Sequence, residues 1–144
     1  MEAISYLELK RRHQKDIDEF PMFWAYSKEQ FAEGMRKLGL EPEQTDAVCR
    51  MPAGGVSRKT DVPRFIEMME RHDAEMKAAI DADATGVGFV FEMFDYELAN
   101  YEYVCTRDVS DTLSALGLTI EEVRASEKLK RGLKLAIAAQ RDEE

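Results

Sequence analysis

Cysteine is scarce: two in 144 residues, Cys49 and Cys105. Their spacing is neither a metal knuckle nor a disulfide framework, so buried, reduced thiols are expected. Long apolar runs are missing, which argues against a membrane-spanning helix. The opening "MEAISYLELKRRHQKD" lacks an apolar core with a cleavage site, so no signal peptide is expected and a cytoplasmic location is. Repeats, low-complexity tracts and long linkers are absent too, and the length suits one domain over 1–144. Only two histidines are present, His13 and His72. Neither lies in a His-x-x-x-His or Glu-x-x-His pattern, so the expectation is no metal and no cofactor. Ser57, Ser110, Ser114 and Ser126 lack a nucleophile elbow, and Cys49 and Cys105 an active-site signature. No catalytic residue is assigned, so the expectation leans to a non-enzyme, with a triad assembled in space left open.

Positive charge is scarce in one region. The net charge is −9. Residues 73–122 hold twelve acids against Lys77 and Arg107, a net −10. Such a field disfavours nucleic acid and anionic membrane surfaces and favours a basic partner, such as a basic host protein. Oligomeric state is not readable.

What remains is rich in helical periodicity. Tyr6, Leu9, His13, Ile17 and Phe20 share one face of a helix over 3–19, stopped by Pro21. "SKEQ" from Ser27 is a capping-box pattern, and Gly39 ends the helix that it starts. Phe65, Met68, Met69, His72, Met76, Ala79 and Ile80 form the cleanest stripe. Phe65, Met69, His72 and Met76 are expected to share one core with Phe91, Phe94 and Leu98. In 87–104, Phe91, Phe94, Leu98 and Tyr101 follow helical spacing. "TIEE" (119–122) is a second capping box, and 126–140 reads as a last helix with Leu129, Leu133, Ala136 and Ile137 inward. "MFWAY" (22–26) and "AVCRM" (47–51) read as strands that could pair. The expected fold is mainly α (α+β): a compact bundle of about five helices with a small two-stranded antiparallel β-ribbon.

The stretches "FPMFWAYSKEQFAEGMRKLGL", "AGGVSRKTD", "ERHDAEMKAAI", "FEMFDYELANYEY" and "DVSDTLSALGLTIEEV" together resemble an uncharacterised group of small acidic proteins from gut bacteria and their phages or other mobile elements. The resemblance covers most of the chain. It implies a bacterial cytoplasmic setting with a phage link, and carries no established activity.

Two candidate sites stand out. In "PAGGVSRKTD", Gly54, Gly55, Ser57, Arg58, Lys59 and Thr60 precede a helix, as an anion- or nucleotide-binding loop requires. The spacing is not that of a P-loop, and a hairpin turn followed by a helix capped by Thr60 or Asp61 competes with it. The second is a polar cluster of His13, His72, Asn100 and Tyr101, with Asp16, Asp73 or Glu75 as acids within reach if the helices pack. The leading functional expectation is a non-enzymatic accessory or protein-interaction protein. The alternative is a small anion- or nucleotide-binding protein, an enzyme or a simple binder, using residues 53–60.

Overall fold

A computed structural model describes residues 4–52 and 54–142. Eight α-helices lie among them: α1 (Tyr6–Glu19), α2 (Lys28–Lys37), α3 (Val62–Ala82), α4 (Phe89–Asn100), α5 (Tyr103–Thr106), α6 (Ser110–Ala115), α7 (Ile120–Arg124) and α8 (Glu127–Asp142). Five of them run ten residues or longer. Three short strands, β1 (Met22–Phe23), β2 (Val48–Arg50) and β3 (Val56–Arg58), form an antiparallel sheet in the order β1-β3-β2. The protein is therefore mainly α with a small β element.

The sheet has one more strand than the ribbon expected, and β1 does not pair with β2. Both flank β3, with Phe23 opposite Val56 and Cys49 opposite Ser57. The glycine pair explains the change. Gly54 N–H donates to the Met51 carbonyl at 2.8 Å, and Met51 N–H to the Gly55 carbonyl at 2.7 Å. This tight turn folds residues 56–58 back along β2, so they take the place beside β2 that β1 would have needed.

The starts of α2 and α7 follow their local signals, whereas α3 is preceded by a 3-10 turn, and Asp61, expected with Thr60 as its cap, accepts from the Arg58 and Arg64 side chains instead. Ser27 Oγ accepts from Gln30 N–H at 3.1 Å, while the Gln30 side chain takes Tyr26 N–H. Thr119 and Glu122 close a reciprocal capping box. At the other ends, "LGL" occurs twice. Gly39 and Gly117 have φ of 79° and 71°, and the next residues, Leu40 and Leu118, donate back to Met35 and Leu113. Both are Schellman stops.

The chain forms two compact units: residues 1–13 with 74–144, and residues 14–73. In the first, α4 packs against α8. Its buried arc comprises Phe89, Val90, Met93, Phe94, Glu97 and Leu98, while Phe91 is half-buried and Tyr101 exposed. The stripe expected through Phe91 and Tyr101 is thus rotated. In the second unit, Phe23, Met35, Leu38 and Val56 make a smaller core, and Gly34 leaves room for the Phe23 ring.

The single core expected along α3 does not form. Met76 packs with Phe91, Phe94 and Leu98 in the first unit. Phe65 belongs to the second, edge-on to Phe20 with ring centres 5.3 Å apart. A helix of 21 residues is about 31 Å long, so its two ends lie in different units.

Candidate functional site

The glycine loop is built as a turn. The positive φ lies at Gly54 (94°); Gly55 is needed for space, because a Cβ there would sit 2.6 Å from Met22 Sδ. Ser57 is fully buried and its hydroxyl donates to the Pro21 carbonyl at 3.0 Å, tying the middle strand to the chain entering β1. Arg58 donates from Nε to Asp61 at 2.7 Å and from its terminal nitrogen to the Leu38 carbonyl at 3.2 Å. Arg64 approaches the other Asp61 oxygen at 3.4 Å. Lys59 and Thr60 are exposed in the single 3-10 turn Lys59–Asp61 that precedes α3. Thus Ser57 and Arg58 are committed to the chain itself rather than presented at one point with the glycine amides, as an anion would need.

A filled amide nest occurs elsewhere. Asp83 accepts from the backbone N–H groups of Thr85, Gly86, Gly88 and Val90, at 3.3, 3.0, 3.1 and 3.0 Å. Partial burial pushes the Asp83 carboxyl up, but these four donors outweigh it and hold its pKa below the usual carboxylate range. The anion at the start of α4 is therefore the chain's own.

His72 Nε2 lies 2.9 Å from Asp16 Oδ2, which also accepts from Arg71 at 2.7 Å, all in the second unit. His13 Nε2 lies 3.6 Å from Glu75 in the first. Two of the three acids singled out in the sequence thus meet a histidine each. Asn100 donates to Glu97 Oε1 at 3.1 Å, and the Tyr101 side chain is exposed.

The burial of Glu97 is what the sequence did not reveal. Glu97 is 1% exposed, yet it accepts from Tyr6 Oη at 2.6 Å and from Lys10 Nζ at 2.7 and 3.1 Å. Burial first, then the hydrogen bond to Glu97, raises the Tyr6 pKa far above its ordinary value, so the phenol stays a donor. Thr112, fully buried, donates to the Glu97 carbonyl at 3.3 Å. One acid thus anchors α1, α4 and α6 within the first unit. A charged residue inside the apolar spacing of "FEMFDYEL" was its only signal.

The cysteines are free, but Cys105 is exposed and Cys49 half-buried, against the expectation of burial. α5 is one turn long between two left-handed residues, Glu102 and Arg107, and Tyr103 takes its inward position. Among the described residues, no three His, Cys, Asp or Glu side chains are grouped to hold a metal ion. No described helix is long and apolar enough to cross a membrane.

These features define a small, mainly α protein with a three-stranded antiparallel sheet and buried polar anchors. The chain belongs to a family of unknown function (DUF7659), whose profile matches residues 5–139. No curated protein and no solved structure matches it.

Proposed function

We propose that the protein is a non-enzymatic accessory protein that binds a basic partner protein through the acidic surface of its first unit. The observation that carries this is the outer side of α4 and its end. Glu92, Tyr96 and Asn100 recur at helical spacing and are exposed, followed by exposed Tyr101 and Glu102. Asp81, Asp108, Asp111, Glu121 and Glu122 are also exposed, in a stretch where Lys77 and Arg107 are the only cations. Tyrosine offers a large contact area at small entropic cost, and surrounding acids select and steer a basic partner. A role in a phage or mobile-element setting belongs to the same proposal, on the resemblance alone.

The test is affinity capture from a bacterial host, followed by binding of the purified captured protein to the wild type and to a variant carrying Tyr96→Ala, Tyr101→Ala, Glu92→Lys and Glu102→Lys. The expected result is a basic partner whose binding weakens steeply with salt and drops at least about tenfold in the variant. A partner held equally well by both proteins, or equally at low and high salt, rejects this surface.

A further inference from the structure

The second unit carries a cleft of about 440 Å³ where the end of α1 meets the first half of α3. We propose that it binds a small zwitterion: a molecule of amino-acid size bearing an ammonium, a carboxylate and an apolar body. This goes beyond the proposed partner surface and is independent of it.

The volume lies within the range of small-molecule sites. The apolar part of the lining is Phe20, Pro21 and Met68. Its charges separate into committed and available ones. Asp16 holds Arg71 at 2.7 Å and His72 at 2.9 Å, and of these Asp16 and Arg71 line the cleft. Asp61 is engaged by Arg58 at 2.7 Å, so Arg64, reaching it only at 3.4 Å, is the less committed cation. Its guanidinium carbon lies 5.7 Å from the Phe20 ring centre, and its side chain is 63% exposed. Opposite in sign are Glu19, whose ion pair with Lys15 is 3.9 Å long, and Glu67, which has no ion pair among the described residues.

Arg64 and Glu67 stand one helical turn apart on α3, with about 5–6 Å between Cβ atoms. A purely cationic ligand meets Arg64, and a purely anionic one meets Glu19 and Glu67. A molecule with both charges places its carboxylate on Arg64, its ammonium between the two glutamates, and its apolar body over Phe20 and Met68. Forked hydrogen bonding from the guanidinium suits the carboxylate.

The experiment is an NMR titration of the full chain with leucine, methionine and phenylalanine, each beside its amide, which keeps only the cation, and its N-acetyl form, which keeps only the anion. At least one free amino acid should give saturable shifts at Phe20 and Met68, with both single-charge forms about tenfold weaker. Arg64→Gln should bind the amide as well as the free amino acid, and Glu67→Gln should do so for the N-acetyl form. Both side chains are exposed, and a melting curve checks that the variants fold. Three outcomes overturn the proposal: no saturable shift with any of the nine compounds, shifts that map outside the cleft, or a single-charge form binding the wild type as tightly as its parent amino acid.

Discussion

At the scale of single residues, Asp83 and Glu97 are acids turned inward within a strongly acidic stretch. Each is held by donors that the fold supplies. For Asp83 the donors are backbone amides, and the depressed pKa turns this into a pH-dependent stability. The folded state favours the ionised form, so the contribution is fully present above the unfolded carboxylate value of about 3.9. It is lost as pH falls through the lower, native value. Asp83→Asn keeps one acceptor oxygen and should cost about 1 kcal/mol near neutral pH, as other lost helix-start caps do. Urea unfolding of both proteins as a function of pH checks this. The gap between their midpoints should close in acid; a gap that stays constant to the lowest pH reached would show that charge plays no part. Glu97 was unreadable because burial of a carboxylate depends on partners 87 and 91 positions away, Lys10 and Tyr6.

At the scale of elements, the glycines separate into two kinds. Gly39 and Gly117 sit at helix ends with positive φ and open space where a methyl group would stand. Gly86 also has positive φ (92°), but a Cβ there would run into the Lys128 carbonyl at the start of α8. Gly39→Ala should therefore cost about 1 kcal/mol, the left-handed penalty alone. Gly86→Ala adds overpacking and should cost about 3 kcal/mol. Chemical denaturation distinguishes them, and equal losses would mean that α8 yields without cost. The helix stops were legible because a Schellman motif is written within six residues, "MRKLGL" and "LSALGL". The need for Gly86 was not, since its obstacle comes from a helix 42 residues later.

At the scale of the whole molecule, charge decides which polyanions are excluded. The net charge is −9, and the acids of residues 73–122 are largely exposed. Of the basic residues near the glycine loop, Arg58 is already held by Asp61. No specific binding to duplex DNA is expected, because too few cations converge to release counterions. A mobility-shift assay at low salt checks this. A retarded complex that weakens with salt and with Arg58→Ala, Lys59→Ala and Arg64→Ala would overturn the expectation.

By itself the sequence determined what is settled within a few residues: helices with an apolar stripe, the caps of α2 and α7, the helix stops, the glycine turn and the charge imbalance. Their causes are local hydrogen bonds and side-chain periodicity, which need no distant partner. Tertiary structure alone decided which strand lies between the other two, how α3 is divided between two units, and which face of α4 is innermost. It also decided that Asp16 meets His72, that Glu75 meets His13, and that Glu97 is buried. Each depends on groups far apart in the chain coming together, and burial of a charge is tolerated only where those groups supply its hydrogen bonds.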